Sequence, residues 1–266
     1  MHTLARAVRF SVNPFLPRQP VGFNSCASKP PGEGLAFFFE LTVHLTGEVD
    51  PNTGFVVNVL DIDERVIEYV VPIFAARVKE HFSRGGDLSL EAMGELLWSA
   101  RDRLAGRFGA AEVTGVDLAL NPYTKIAIDS KVQNMVYYSE KFEFAATHRL
   151  WNEALSPEEN ERVFGKCASP NGHGHNYTLE VTVVMPEGYR QFRSGEFEKI
   201  VNDLFLRFVD HKNLNVDVAE LGSANPTVEN IAALAWEKLA GKFGEIMLHR
   251  VTVWETDRTF CSYCRA

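Results

Sequence analysis

Apolar and polar residues alternate along several segments of the chain, and turn-forming residues separate these segments. An alternation with a period of two predicts β-strands, because successive side chains of a strand point to opposite faces. The runs at 4–12 and 136–147 each begin a similar series of elements. The other predicted strands are FFFELTVHL, VTGVDLAL and YTKIAI in the first half, and NYTLEVTVV, HRVTVWE and TFCSY in the second half.

Two helices are predicted between the second and third strands of each half. Ser89 and Thr227 are the predicted N-caps of the second helix in each pair, because a side-chain oxygen can accept a free backbone N–H of the first turn. Phe–Gly pairs at 108–109 and 243–244 are predicted to stop the same two helices. The four predicted helices are 61–82, 88–108, 195–209 and 227–243.

The order ββααββ in each half predicts an α+β fold, in which an antiparallel sheet carries two helices on one face. The halves also share short stretches in the same order. The tripeptide CAS occurs at 26–28 and 167–169, and LAGRFG at 104–109 is matched by LAGKFG at 239–244. A fixed order of shared stretches indicates a tandem duplication.

Charge and composition narrow the range of partners. The formal net charge of -8 argues against nucleic acid as the main partner, because phosphate binding needs a basic surface. No apolar run approaches the roughly 20 residues that span a bilayer, and the N-terminal segment lacks the apolar stretch of a secretory signal. Four cysteines are too few and too scattered for a disulfide framework. We therefore expect a cytoplasmic protein that binds neither nucleic acid nor membrane.

The densest polar cluster, FGKCASPNGHGHNY, leads directly into a predicted strand. His173 and His175 share one face of that strand, because they are two positions apart. His148 ends the preceding alternating strand and offers a third imidazole. Three histidines with one open coordination position are typical of catalytic zinc, whereas a structural zinc site has all four positions filled by protein ligands. The combination therefore predicts a catalytic zinc site, although any one of these histidines alone could be a core or surface residue.

Four other residues are candidates for chemistry. Cys167 lies in the same cluster, and a thiol near a dication or an imidazole loses its proton more easily. Asp210 precedes His211, and a carboxylate beside an imidazole can orient the ring and stabilise its charged form. By itself this pair is a weak signal and is better explained as a solvated helix end. Glu255 ends an apolar strand, where a carboxylate could accept two parallel hydrogen bonds from a planar amidine-like edge or simply face solvent.

The candidate residues lie in five stretches of the second half: FEFAATHRL, LSPEENERVFGKCASPNGHGHNY, VDHKNLN, PTVENIA and VTVWET. Together they cover nearly all of 141–257 and resemble the 6-pyruvoyl-tetrahydropterin synthase family. The resemblance implies the T-fold, in which ββααββ units join edge to edge into a barrel with active sites between units. It therefore implies a homo-oligomer.

The resemblance also implies a role for each candidate residue. The implied zinc ligands are His148, His173 and His175. The implied proton-transfer group is Cys167 with Asp210 and His211, and the implied pterin-binding residues are Glu255, Thr227 and Glu229.

The implied reaction converts 7,8-dihydroneopterin triphosphate to 6-pyruvoyl-tetrahydropterin with elimination of triphosphate. The six-residue spacing from Cys167 to His173 resembles that of the biopterin-pathway enzymes. Alternatives are a 6-carboxy-tetrahydropterin synthase or side-chain-cleaving activity on the same substrate, or a non-catalytic pterin-binding protein. A simple zinc hydrolase is less consistent with the sequence, because no carboxylate base stands beside the predicted metal ligands.

The two halves differ in the site residues. We predict a catalytic domain at 134–266 and a degenerate, non-catalytic repeat at 1–133. Aligning Cys26 with Cys167 puts glycines, Gly32 and Gly34, at the positions of the two strand histidines. Pro14 takes the position of His148 and Leu120 that of Glu255. Conversely, a family turn of the form TGMVx[ND] is present in the first half, as TGFVVN, and absent from the second, which reads GYRQFR.

Overall fold

The computed structural model describes residues 1–16, 34–222 and 224–264. Cys26 and Gly32, which were used in the comparison of the two halves, lie outside the described residues. The chain divides into two compact units. The first unit comprises Met1–Tyr138 with Met185–Phe192, and the second comprises Ser139–Val184 with Arg193–Ala266.

The first unit contains a four-stranded antiparallel meander. Alternation places Leu41, Val43 and Leu45 on one face of the sheet, where they are fully buried. Neighbouring strands pair in sequence order along their lengths. The strands are β1 (His2–Val12), β2 (Phe37–Gly47), β3 (Glu112–Ala119) and β4 (Thr124–Asp129).

Three α-helices accompany this sheet: α1 (Val59–Arg65), α2 (Val71–Arg84) and α3 (Leu90–Leu104), with a π-helical turn at Val66–Val70 between α1 and α2. The TGFVVN turn ends at Asn58, whose side chain accepts a hydrogen bond from the backbone N–H of Leu60 at 3.1 Å and so caps α1. Local helix capping is therefore one physical use for this turn in the first half. Phe74 of α2 packs edge-on against Phe10 of β1, with ring centroids 5.5 Å apart.

In the second unit, β5 and β6 are neighbouring strands, and β6, β8 and β9 pair antiparallel in that order. A two-residue strand, β7, pairs parallel with the end of β5. The strands are β5 (Met135–His148), β6 (His173–Pro186), β7 (Lys212–Asn213), β8 (Met247–Thr256) and β9 (Thr259–Tyr263).

The helices of the second unit are α4 (Pro157–Phe164), α5 (Ser194–Val201), α6 (Arg207–Val209) and α7 (Val228–Leu239), with a π-helical turn at Asn202–Leu206 between α5 and α6. The sequence analysis did not predict α4. Its start is a capping box, because the Ser156 hydroxyl accepts from the Glu159 N–H and the Glu159 carboxylate accepts from the Ser156 N–H. A 3₁₀ turn at Gly165–Ala168 follows α4 and carries Cys167.

The α+β class, the antiparallel sheet and the ββααββ order are confirmed, with α4 as an addition between β5 and β6. Ser89 and Thr227 are N-caps, as predicted. The predicted helix stops are wrong. α3 ends at Leu104, where the next residue leaves the helical conformation and Gly106 adopts a φ of 73°. The glycine with positive φ that follows the helix end is therefore Gly106 and not the glycine of the later Phe–Gly pair. α7 ends in the same way, at Leu239, and Gly241 has the positive φ.

Within the described part of the chain, no helix is long and apolar enough to cross a membrane. The domain bounds at 1–133 and 134–266, the duplication and the cytoplasmic location stay predictions.

Candidate metal and catalytic site

The strand alternation brings three histidines to one place in the second unit. On β5 the buried side of the sheet ends with His148, which is 1% exposed. On the neighbouring β6, His173, His175 and Tyr177 alternate along the same face, and Tyr177 is fully buried. Because β5 ends where β6 begins, the three imidazoles meet at one end of the strand pair.

The three imidazoles form a compact cluster. One ring nitrogen from each of His148, His173 and His175 can be chosen so that all three lie within 4.8 Å of one another. The Nε2 atoms of His148 and His173 are 3.2 Å apart. Ring centroids are separated by 4.6 Å for His148 and His173, and by 4.7 Å for His173 and His175. This spacing is compact enough for the three nitrogens to bind one ion.

The protonation of the cluster also suits a metal. The Nδ1 atom of His148 is 2.7 Å from the Pro226 carbonyl oxygen, so this nitrogen carries the proton and Nε2 is left as a lone-pair donor. Burial lowers the pKa of His148 and of His175, which favours the neutral imidazole that a metal requires.

Two buried ring nitrogens test whether an ion fits here. Nδ1 of His173 and Nε2 of His175 are buried without a hydrogen-bond partner among the residues that the structure describes. A buried polar atom without a partner is costly, and a bound cation would satisfy the lone pairs of this cluster. The residues therefore fit a metal ion. Imidazole ligands alone suit several transition metals, so the three rings do not identify the ion.

Glu255, near the end of β8, stands beside the cluster. Its carboxylate oxygens lie 3.7 Å from Nε2 of His175 and 4.0 Å from Nε2 of His148. The Glu255 side chain is 19% exposed, so it borders the cluster while remaining open to a ligand.

Cys167 is half-buried on the 3₁₀ turn, and its carbonyl oxygen accepts a hydrogen bond from the Leu150 N–H at 2.8 Å. Burial raises the pKa of the Cys167 thiol, and the Glu255 carboxylate adds to the rise. The thiol is therefore protonated in the chain alone and lies close enough to Glu255 to feel its charge. A cation bound by the histidines would instead lower the pKa of the Cys167 thiol.

Gly172 allows the Cys167 loop to come this close to β5. Its φ is +64°, and a Cβ atom there would lie 2.8 Å from the His148 carbonyl oxygen. Any other residue would both strain the backbone and collide with the end of β5. The glycine thus helps to place the thiol and the strand histidines together.

Asp210 and His211 lie at the edge of β5. An Asp210 carboxylate oxygen accepts a hydrogen bond from the Ala145 N–H at 2.9 Å and is also 2.9 Å from Nδ1 of His211. The Ala145 N–H, together with His211, lowers the pKa of Asp210. The His211 side chain is 82% exposed, and its backbone φ is 55°. The pair is therefore a carboxylate–imidazole dyad that presents its imidazole to the outside.

The dyad and the thiol are not in contact. A cleft of about 480 Å³ is lined by residues that include both His175 and His211. Among the described residues, however, no hydrogen bond or ion pair joins Cys167 to Asp210 or His211. The structure brings the histidine cluster and Glu255 together with Cys167 nearby, and His211 shares a cleft with His175.

Thr227 and Glu229 begin α7. The Thr227 hydroxyl accepts a hydrogen bond from the Asn230 N–H at 3.4 Å, so it is already used as the helix cap. Glu229 is exposed in the first turn and lies near Cys261, whose pKa it raises in addition to the effect of burial. The structure thus gives Thr227 a local structural use and leaves the Glu229 carboxylate free of ion pairs among the described residues.

Two contributors to the site were not predicted from the sequence. The Tyr177 ring packs against the rings of His148 and His175, with centroids 6.3 Å and 5.6 Å away. Its position two residues beyond His175 on the same strand face is a signal that could have identified it. The Pro226 carbonyl that orients His148 comes from 78 residues further along the chain, and no sequence pattern indicates that contact.

The fold and the site define a class: an α+β protein with a three-histidine cluster that could hold a metal ion, near a carboxylate and a thiol. Comparison with known proteins then identifies the family. The family model for 6-pyruvoyl tetrahydropterin synthase matches residues 137–266. The 6-pyruvoyl tetrahydrobiopterin synthase of Homo sapiens is 38% identical over 128 residues, which is 47% of this chain and 88% of that protein.

The chain is also similar to two further proteins. The 6-carboxy-5,6,7,8-tetrahydropterin synthase of Aquifex aeolicus is 30% identical over 156 residues, covering 47% of this chain and 95% of that one. The solved 6-pyruvoyl tetrahydropterin synthase of Caenorhabditis elegans is 33% identical with a TM-score of 0.45, and the match covers 50% of this chain and 96% of that chain. The chain therefore belongs to the 6-pyruvoyl tetrahydropterin synthase family, as its sequence motifs indicated.

Proposed function

We propose that the chain is a zinc-dependent lyase that converts 7,8-dihydroneopterin triphosphate to 6-pyruvoyl-tetrahydropterin with elimination of triphosphate. The observation that carries the proposal is the cluster of three histidines with Glu255 beside it and Cys167 close to Glu255. His148, His173 and His175 would hold the ion. Bound there, Zn²⁺ would supply Lewis-acid stabilisation of negative charge that develops on the substrate side chain.

Glu255 would orient the pterin. A carboxylate offers two acceptor oxygens, which match the two parallel N–H donors of an amino-pyrimidine edge. Its position beside the histidines would bring the pterin side chain toward the metal cluster. Thr227 and Glu229, at the start of α7, are proposed as further contacts to the pterin, through the threonine backbone and the exposed carboxylate.

Cys167 would move a proton at the substrate carbon next to the pterin ring. Its pKa is raised in the chain alone, so the thiol needs a nearby positive charge before it can act as a base at neutral pH. The histidine-bound cation would provide that charge. The Asp210–His211 dyad is proposed as the partner that relays the proton.

The separation of Cys167 from His211 supports a homo-oligomer. An exposed imidazole held by a carboxylate is suited to reach into a neighbouring subunit, where it would complete a relay with that subunit's thiol. We therefore propose that the active enzyme is an assembly of chains.

Release of triphosphate tests the proposal. The purified, zinc-loaded chain is expected to release inorganic triphosphate from 7,8-dihydroneopterin triphosphate, as measured by ion chromatography. A chelator that removes zinc should stop the release, and added Zn²⁺ should restore it. Absence of release by the zinc-loaded chain, or an unchanged rate after complete removal of the metal, would contradict the proposal.

A further inference from the structure

Three consecutive residues, Arg149 to Trp151, connect His148 to the rest of the site. Each of their backbone N–H groups donates to a different segment of the second unit. The acceptors are the Asn215 side chain at 2.7 Å, the Cys167 carbonyl at 2.8 Å and the Asn225 side chain at 2.8 Å. The chain just after His148 is thereby fixed from three directions.

Asn225 differs from the other two acceptors because its backbone carbonyl is bonded to the segment just after Pro226. Its side-chain oxygen accepts from Trp151, and its carbonyl oxygen accepts from the Thr227 N–H at 2.8 Å and from the Asn230 side chain at 2.8 Å. Pro226 lies between these anchored residues. Because proline has a fixed φ, anchoring its two neighbours also sets the direction of its carbonyl.

The Pro226 carbonyl is the nearer hydrogen-bond partner of the His148 ring, 2.7 Å from Nδ1, whereas the Tyr177 hydroxyl is 3.5 Å from the same atom. We propose that Asn225 is a positioning residue for the metal ligand His148, because it holds the Pro226 carbonyl against the ring and ties the same segment to the backbone three residues after the histidine. Asn225 thus fixes both the ring and the main chain of one ligand. It touches neither the other two histidines nor Glu255 in the described structure.

Loss of this anchor has a defined consequence. If the Pro226 carbonyl moves away, the proton of His148 is no longer confined to Nδ1, and the ring can present the wrong nitrogen to the ion. Groups that orient metal ligands in this way typically change metal affinity by about 10- to 100-fold when they are removed. We expect an effect of this size on Zn²⁺ binding by Asn225→Ala.

The matched control is Asn215→Ala. Asn215 also makes side-chain hydrogen bonds to the 149–151 segment, accepting from the Arg149 N–H at 2.7 Å and donating to the Arg149 carbonyl at 2.9 Å. Both asparagines line one cavity of about 630 Å³, so neither truncation opens a closed void in the core. Only Asn225 is attached to Pro226. Asn225→Asp is the conservative variant, because a carboxylate still accepts from the Trp151 N–H.

Two measurements test the proposal on the full chain. The first is the nuclear magnetic resonance signal of the His148 Nδ1 proton in the metal-free protein, which a buried hydrogen bond protects from exchange with water. The second is Zn²⁺ affinity measured by competition with a chelating dye. The signal should persist in the wild type, Asn225→Asp and Asn215→Ala, and disappear in Asn225→Ala with the stated loss of affinity.

An Asn225→Ala protein with an intact signal and unchanged affinity would overturn the proposal. Equal losses of signal and of Zn²⁺ affinity in Asn215→Ala would also overturn it, because they would show that general loosening of 149–151 causes the effect. If Asn225→Ala fails to fold, the Asn225→Asp and Asn215→Ala proteins still decide the outcome, because loss of the signal in either one contradicts the proposal. The inference rests on the proposed metal site. Because the resonance is recorded without metal, failure of the positioning role of Asn225 can be distinguished from failure of the proposed metal site.

Discussion

Replacement of Cys167 by alanine is expected to abolish measurable turnover while zinc content and pterin binding are retained. The thiol is assigned to proton transfer at the substrate, and removal of such a group typically lowers the rate by about 10²- to 10⁴-fold. The side chain is not one of the three clustered histidines, so the metal should stay bound. Steady-state kinetics, elemental analysis and pterin titration of the same preparation would check all three expectations.

The control for this variant is Cys261→Ala. Cys261 is also a half-buried free thiol whose pKa is raised by burial, but it lies on β9. Its removal, like that of Cys26 in the first half, should leave the rate within about twofold, a change worth only a few tenths of a kcal/mol. Equal losses for Cys167→Ala and for either control would refute the assignment of catalysis to Cys167.

Replacement of His173 by alanine is expected to reduce zinc from one ion per chain to a trace. Two imidazoles would remain, and a three-ligand site that loses one ligand also loses the convergence of nitrogen atoms that holds the ion. Turnover should fall with the metal. Elemental analysis after dialysis against a weak chelator is the measurement.

His44→Ala is the matched control for the metal prediction. His44 is a half-buried histidine of the first unit, where its Nε2 atom is 2.9 Å from the Asp117 carboxylate. Its loss should leave one zinc per chain. Two zinc ions in the wild-type chain, or unchanged zinc in His173→Ala, would show that the ion is held elsewhere.

The clustering of the three histidines could be predicted because the sequence signal for it is local. His173 and His175 share a strand face by simple alternation, and His148 ends the neighbouring strand on its buried side. The two N-caps were predictable for the same reason, since a hydroxyl residue before a helix acts within three residues. A capping box at Ser156 and Glu159 carried an equally local signal for α4, which the sequence analysis did not use.

Other features depend on contacts that are distant along the chain. The Pro226 carbonyl lies 78 residues further along the chain than His148. Neither sequence segment indicates that the two are in contact. The resemblance implies that Cys167 and the Asp210–His211 dyad act as one group, and this stays a prediction, because no hydrogen bond or ion pair joins them among the described residues. The helix stops were misplaced because a glycine at 106 ends α3 before the Phe–Gly pair is reached.

The identity of the pterin product tests the central claim most directly. Zinc-loaded protein would be incubated with 7,8-dihydroneopterin triphosphate under anaerobic conditions, and the pterin products would be identified by liquid chromatography and mass spectrometry. We expect 6-pyruvoyl-tetrahydropterin together with one triphosphate per molecule of substrate consumed. A 6-carboxy-tetrahydropterin, a pterin whose side chain has been cleaved, or unchanged substrate that is merely bound would contradict it.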